Sequence, residues 1–157
     1  MTTTKEIEDT VAEMEIVRVF DAPRELVYQA WLDPEHLANW YGPQNFGVAR
    51  TDIEQKPGGT YLIVMQGPDG KEYPNQGVIN EMVENEKLVM TQIDNDEDGN
   101  TALEMVNTIT FEEEDGKTRM TLHVAVLKAS PQHLEMLPYA EAGWKAAFEK
   151  MAAYFTK

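Results

Sequence analysis

The sequence predicts an α+β domain in which a curved antiparallel sheet of about seven strands wraps around a long C-terminal helix. Three observations lead to this prediction. The last stretch, residues 130–157, carries one Trp and two Phe on an apolar stripe with helical spacing. Most segments before it alternate apolar and polar residues, as half-buried strands do. The links between consecutive strands are too short to hold a crossover helix, so neighbouring strands are expected to run antiparallel.

Composition narrows the class of protein. The 157 residues carry a net charge of −15 and no cysteine. Nucleic-acid binding needs basic patches for the phosphates, and none occurs here. Disulfides and thiolate metal sites are excluded as well. The sequence has neither a signal-peptide core nor a run of about 18 apolar residues, so we expect a cytoplasmic protein without membrane insertion. We expect residues 1–12 to be a flexible N-terminal tail and residues 13–157 to form a single domain.

One strand and two short helices are predicted at the start. Residues 14–20 are rich in β-branched and aromatic types and predict the strand. Pro23 suits the first turn of a helix, which we expect over residues 24–32. Asp33 can cap a second helix whose first turn holds Pro34. Two helices separated by so short a break must form a bent pair.

Six further strands are predicted, separated by Gly, Pro and acidic turn residues. The segments Gly67-Pro68-Asp69-Gly70 and Glu114-Asp115-Gly116-Lys117 predict hairpin turns. Pro74 places the start of its strand at a sheet edge or bulge, and Gly77 is a candidate bulge. The acidic run 94–100 is expected to be a solvated loop. The predicted strands cover residues 48–56, 60–66, 72–83, 87–93, 103–112 and 118–127.

The terminal helix is the element around which the rest is arranged. Ser130 can cap it and Pro131 suits its first turn. A proline inside a helix costs about 3 kcal/mol, so Pro138 predicts a kink or a main helix that begins there. A single helix cannot hide its apolar face from water, so we expect the sheet to cover it. The inner face is predicted to contain Leu137, Ala140, Trp144, Ala147, Phe148, Met151 and Phe155.

Several motifs, in this order along the chain, carry a family resemblance. They lie at residues 18–27, 30–37, 40–43, 57–59, 67–70, 86–89 and 143–144. Together they closely resemble bacterial proteins similar to the C-terminal domain of the ninety-kilodalton heat-shock-protein ATPase activator. That family belongs to the START and polyketide-cyclase superfamily. The resemblance implies the helix-grip fold and a hydrophobic cavity between the sheet and the C-terminal helix, suited to lipids, sterols, polyketides or other apolar ligands. The chain departs from the family pattern at Pro138, where members generally have an unbroken helix.

A set of large apolar residues could either line such a cavity or fill a solid core. Aromatic and methionine side chains form adaptable walls that suit apolar ligands. The candidate ligand-binding residues are Trp31, Trp40, Phe46, Tyr61, Ile63, Met65, Met90, Ile109, Leu122, Leu137, Trp144 and Phe148. Polar strand residues could orient a ligand if strand parity turns them inward. These are Gln76, Asn80, Gln92, Asn107 and Thr108.

No catalytic or metal-binding constellation stands out in the sequence. His36, His123 and His133 are expected at the surface or in capping roles, and no HExxH spacing occurs. The run 94–99 begins like a calcium-binding EF-hand loop, but Met105 occupies the twelfth position, where such a loop needs Glu. The only serine, Ser130, is used as a cap. We therefore expect no metal and no cofactor, with tyrosines as the remaining proton donors if the cavity is catalytic.

The leading functional hypothesis is the binding of a small hydrophobic ligand between sheet and helix. One alternative is a protein-interaction module related to chaperone ATPase activation, with a basic protein partner or a second copy in a homodimer. A further alternative is a cyclase- or hydrolase-type enzyme that uses the cavity. The absence of an acid–base constellation makes the enzyme the weakest of the three, and the ligand-binding hypothesis requires an open space beneath the helix.

Overall fold

The computed structural model describes residues 11–156. Seven strands form one antiparallel sheet in the order β1-β7-β6-β5-β4-β3-β2. The strands are β1 (Ala12–Phe20), β2 (Gly47–Ile53), β3 (Thr60–Gln66), β4 (Glu72–Val83), β5 (Lys87–Asn95), β6 (Thr101–Glu114) and β7 (Lys117–Ala129). The helices are α1 (Arg24–Ala30), α2 (Pro34–Trp40) and α3 (Pro131–Phe155). The predicted α+β, helix-grip architecture is confirmed.

The N-terminal tail predicted over residues 1–12 lies almost entirely outside the described residues. Of its last two residues, the Val11 N–H donates a hydrogen bond to Val126 O over 2.8 Å, and Ala12 begins β1. The first strand therefore begins two residues before the predicted Met14. No described helix is long and apolar enough to cross a membrane.

Three sequence expectations need correction. Helix α3 begins at Pro131 and continues through Pro138, because the Ser130 cap and the packing farther along the helix outweigh the missing hydrogen bond. Gly77 is not a bulge: it stays in register with Gln92, and a Cβ there would lie 1.7 Å from Thr91 O. That close approach, rather than a positive φ, requires glycine. The third correction, at Asp94, is given with the site below.

Pro74 shows why a strand can accept proline in the middle of a sheet. Strand β4 pairs with β3 at this point, but its pairing with β5 begins only at Gly77. The missing N–H of Pro74 therefore removes no hydrogen bond from an interior ladder. The prediction that this strand starts at an edge is confirmed by the pairing.

The concave face of the sheet changes character along the strands. One end is apolar, where Phe20, Phe111 and Met120 pack with α1 and the last turns of α3. Toward the other end, the same face carries polar side chains, and α3 crosses it with its N-terminal turns. The register places these polar residues on the concave side: Asn75, Gln92, Asp94 and Asn107.

Candidate functional site

The candidate site lies where the concave face turns from apolar to polar. Strand pairing puts Asn107 of β6 between Met90 of β5 and Val124 of β7. Gln92 lies two residues beyond Met90 on the same face, and its Nε2 donates to Asn75 Oδ1 on β4 over 2.9 Å. A polar stripe thus crosses three strands of the concave face. Buried polar atoms normally have hydrogen-bond partners, so an atom of this stripe that lacks one calls for an explanation.

Asp94 corrects the prediction that residues 94–100 form a solvated loop. It belongs to β5 and pairs with Leu103, and its side chain is 27% exposed. Burial raises the pKa of its carboxyl above the ordinary value, opposed by a hydrogen bond from Gln92 and by the charge of His133. The acidic run suggested a turn from composition alone, but pairing with β6 extends the strand two residues into it.

His133 connects the start of α3 to the sheet. Its Nε2 lies 3.9 Å from Asp94 Oδ2, and its Nδ1 lies 2.8 Å from Ser130 Oγ. Ser130 Oγ also accepts the backbone N–H of His133, so the serine caps the helix as predicted. The serine oxygen is therefore committed to the helix terminus, which leaves it poorly placed to act as a nucleophile.

Two tyrosines approach the same region from other elements. Tyr41 follows α2 and Tyr61 lies on β3, and both are buried. Burial raises the pKa of each phenol well above its usual range, and the negative charge of Asp94 raises both further. Both hydroxyls therefore stay protonated at neutral pH. Asp94 on β5 is therefore close enough to Tyr61 on β3 and to Tyr41 after α2 to influence both electrostatically.

The predicted ligand-binding residues fall into two groups. The first group is closely packed core, with Trp31 and Trp40 rings 4.8 Å apart and both within 6.2 Å of Phe148. It comprises Trp31, Trp40, Ile63, Ile109, Leu122 and Phe148. The second group surrounds the polar stripe or lies at its margin. It comprises Phe46, Tyr61, Met65, Met90, Leu137 and Trp144. Ligand contact by any of these residues stays a prediction.

Trp144 joins these two groups. Its ring centroid lies 5.7 Å from those of Trp31 and Phe148 on the core side. On the other side it lies 6.2 Å from the Tyr41 ring. Because Trp144 and Leu137 are only partly buried against the core, they are the α3 side chains closest in character to a cavity wall.

Strand parity decides which of the polar candidates face the helix. Gln92 and Asn107 lie on the concave face, whereas Gln76 and Thr108 pair with Leu62 and His123 on the convex face. Asn80 lies at the bulge of β4, where its Oδ1 accepts a hydrogen bond from Thr91 Oγ1 over 2.6 Å. Asn75, Asp94 and His133 were not among the sequence candidates. For Asn75, the sequence offered one signal: it lies two residues before Gly77 and therefore on the same face of the strand.

Residues 11–156 form two grooves that can be described, and neither of these lies between α3 and the concave face. One, of about 300 Å³, runs over the convex side beside Leu62, Gln76 and Ile93. The other, of about 470 Å³, lies beside Arg24 near Phe111 and Glu113. On the concave face, Tyr61, Met90, Gln92 and Asn107 are all buried.

The remaining histidines are spread over the molecule. His36 hydrogen-bonds the Tyr154 hydroxyl, and His123 Nε2 lies 2.7 Å from Glu13 Oε2 on the convex face. Among residues 11–156, no group of three or more His, Asp or Glu side chains is arranged to hold a metal ion.

Comparison with known proteins places this geometry in a family. The family model described as Activator of Hsp90 ATPase homolog 1-like protein matches residues 21–156. A comparison with curated proteins finds no match.

Solved bacterial structures share the fold over nearly the whole chain. A protein of Mycobacterium smegmatis is 27% identical, with a TM-score of 0.75 over 94% of this chain and 91% of its own. A protein of Silicibacter pomeroyi described as AHSA1 is 24% identical, with a TM-score of 0.76 and coverage of 92% and 98%. A protein of Nitrosomonas europaea is 22% identical, with a TM-score of 0.77 and coverage of 92% and 93%.

Proposed function

The chain belongs to the family of Activator of Hsp90 ATPase homolog 1-like proteins, and from this premise we propose that it binds a small hydrophobic ligand between α3 and the concave face of its sheet. The fold of this family commonly binds hydrophobic ligands. The proposed site lies under the first half of α3, residues 131–143, and includes the second group of residues defined above. Trp144 forms its border with the closed core.

The observation that carries the proposal is the contrast between this helical segment and the sheet beneath it. No residue between 131 and 143 is buried. On the sheet, by contrast, Tyr61, Met90, Gln92 and Asn107 are each at most 7% exposed. The first half of α3 therefore contributes no fully buried side chain to the core, and we infer that it covers this part of the sheet. A segment with few buried apolar contacts opens at low free energy.

Access depends on movement of that segment. Pro138 has no N–H to donate to Leu134 O, so one hydrogen bond of the helix is missing near its middle. His133 Nε2 in this segment approaches Asp94 Oδ2 of the sheet to 3.9 Å, which is too long for a hydrogen bond. Displacement of residues 131–143 would expose the floor without disturbing the aromatic core.

Burial of apolar surface is sufficient for useful affinity. Covering about 300 Å² of apolar ligand surface at about 25 cal/mol per Å² gives roughly 7.5 kcal/mol before costs. Association and the displacement of the helix reduce this gain, which leaves binding on the micromolar scale. The ligand therefore needs an apolar body of several carbon atoms.

The proposal is tested with diphenylhexatriene, a hydrocarbon dye that fluoresces in apolar surroundings. We expect saturable binding to the wild type, and about tenfold weaker binding to Trp144→Ala because the wall between site and core is lost. Tyr139→Ala is the matched control, since Tyr139 is a 73% exposed aromatic residue on the same helix. Equal dye affinity in both folded variants, or no dye binding by the wild type, would reject the site.

A second candidate function is protein interaction, which exposed apolar residues on α3 favour. Leu134, Met136 and Tyr139 are 46%, 62% and 73% exposed, and the family description names an ATPase activator. The acidic surface suits a basic partner, and such binding weakens with salt. The test measures the ATPase rate of an Hsp90-type chaperone with the chain and with a variant in which these three residues are Ser. Equal stimulation by the wild type and by the triple variant, or no stimulation by either, would reject these three residues as the interaction surface.

We also propose that residues 13–157 form a single domain that acts in the cytoplasm. One hydrophobic cluster draws on every element of the sheet and all three helices, which supports a single folding unit. A cysteine-free composition suits a reducing compartment. One cooperative unfolding transition and cytoplasmic fractionation are the expected results.

A further inference from the structure

Asn107 presents a buried acceptor for which the sheet provides no donor. The residue is 6% exposed, and none of the residues that the structure describes donates a hydrogen bond to its Oδ1. Native proteins pair the large majority of such atoms, so an unpaired one calls for an explanation. It lies on the floor of the proposed site.

The surroundings of Asn107 explain why no protein donor reaches it. Its cross-strand neighbours are Met90 and Val124, and the next residues on its own face are Met105 and Ile109. All four side chains are apolar and offer no N–H or O–H. The nearest polar side chain along the stripe, Gln92, already donates to Asn75. None of these neighbouring side chains therefore supplies a donor to Asn107 Oδ1.

Resting on the proposed function, we propose that the ligand is amphipathic: its apolar body fills the site and its polar end, an alcohol or amine, donates a hydrogen bond to Asn107 Oδ1. This arrangement removes the unpaired acceptor when the ligand binds. It makes Asn107 a specificity-determining residue, because a ligand without a donor leaves the buried oxygen unpaired.

Charge at the edge of the site excludes a second class of ligand. Asp94 faces the same space, and burial makes its carboxylate poorly screened by solvent. Gln92 Nε2 is engaged by Asn75 and lies 3.5 Å from Asp94 Oδ2. His133 Nε2 lies 3.9 Å from Asp94 Oδ2, beyond hydrogen-bond distance. A ligand carboxylate would therefore meet like charge with little compensation, so fatty-acid anions are disfavoured.

Ligands of matched length test the inference by displacement of diphenylhexatriene from the wild type. The panel is 1-decanol, its isomer methyl nonyl ether, and decanoate at pH 8. Decanol donates a hydrogen bond, whereas the ether only accepts one. We expect decanol to bind about tenfold more tightly than the ether, as the loss of one buried hydrogen bond predicts. Decanoate is expected to bind more weakly than decanol by at least a similar factor.

Variants assign this preference to Asn107. In Asn107→Leu, decanol and the ether should bind within about twofold of each other, because the acceptor is gone. Thr108→Val is the matched control: it changes the next residue along β6, on the convex face, and should retain the wild-type preference. Asn107→Ser keeps a small acceptor and gives an intermediate preference, which provides a second reading if the Leu variant does not fold.

The outcomes separate the inference from the function on which it rests. If the hydrocarbon dye does not bind the wild type, the proposed function fails. If the dye binds but decanol and the ether compete equally, a hydrogen bond from the ligand to Asn107 does not contribute to affinity. The inference is then overturned, while the proposed function stands. Retention of the decanol preference in Asn107→Leu also overturns it.

Discussion

The two halves of helix α3 belong to one continuous element but are packed differently. From Trp144 to Phe155, the helix buries Ala147, Phe148 and Met151 in the core. Its first half, residues 131–143, buries no side chain and leaves Leu134 nearly half exposed. The first half lies over the polar end of the sheet, whereas the second half lies over the apolar end.

Polar contacts follow the same division. The second half is held by Glu149 with Arg18, by Tyr154 with His36, and by Lys150 Nζ, which donates to two carbonyls of the segment between α2 and β2. The first half approaches the sheet through the longer His133–Asp94 pair. One half of the helix is therefore anchored to the fold by buried side chains and several polar contacts, whereas the other half, which the proposed function requires to move, is held by fewer.

The largest expected effect comes from the anchored half. Phe148→Ala should lower the free energy of unfolding by about 3–5 kcal/mol, the usual cost of deleting a buried aromatic ring. The ring is fully buried and lies within 6.3 Å of the Phe20, Trp31, Trp40 and Trp144 ring centroids. Urea unfolding measures the change. Tyr139→Ala, in the first half, should change stability by less than about 0.5 kcal/mol, and similar losses in both variants would refute the division.

Pro138→Ala should sharpen the comparison by making the two halves more alike. The new N–H can bond Leu134 O, which stabilises the first half against local opening by about 1–3 kcal/mol. Amide hydrogen exchange in residues 134–143 should slow accordingly, and diphenylhexatriene should enter more slowly.

Pro34→Ala is the control for this substitution, because Pro34 lies in the first turn of α2, where proline is favourable. It should not slow exchange in its own helix. Unchanged exchange in Pro138→Ala would show that something other than the missing hydrogen bond loosens the first half of α3.

The smallest expected effect is the pH dependence of stability that Asp94 causes. Burial raises the pKa of Asp94 above its ordinary 3.8. At a pH between the unfolded-state pKa and the higher folded-state pKa of Asp94, the folded protein holds a proton that the unfolded chain has released. The contribution of Asp94 to the free energy of unfolding therefore falls as pH rises. Asp94→Asn removes that dependence and should gain stability over the wild type toward neutral pH.

Urea unfolding from pH 4 to 8 measures this difference, with Glu97→Gln as the control at an exposed carboxylate of the following loop. The gain should be confined to Asp94→Asn. A difference between Asp94→Asn and the wild type that stays flat with pH would mean that burial does not govern this carboxyl.

Local patterns in the sequence predicted the elements well, and the misses have identifiable causes. The bounds of β3 and β4 agree with prediction because turn residues punctuate both ends. Strand β5 was predicted two residues short because Asp94 and Asn95 have low strand propensity, and only pairing with β6 keeps them extended. The alternative of a main helix that begins at Pro138 was wrong, because the local cost of proline is smaller than the packing gained farther along the helix, whereas the kink stays a prediction.

The sequence by itself determined the class of fold, the order of its elements and the inner stripe of the last helix, because periodicity and turn chemistry act over a few neighbouring residues. Only the tertiary structure decided which half of that helix is buried and which polar side chains lie beneath it. The approach of His133 to Asp94 and the position of Asn107 on the concave face depend on strand register and on where the helix meets the sheet. These are set by contacts between residues far apart in the chain, which no local pattern records.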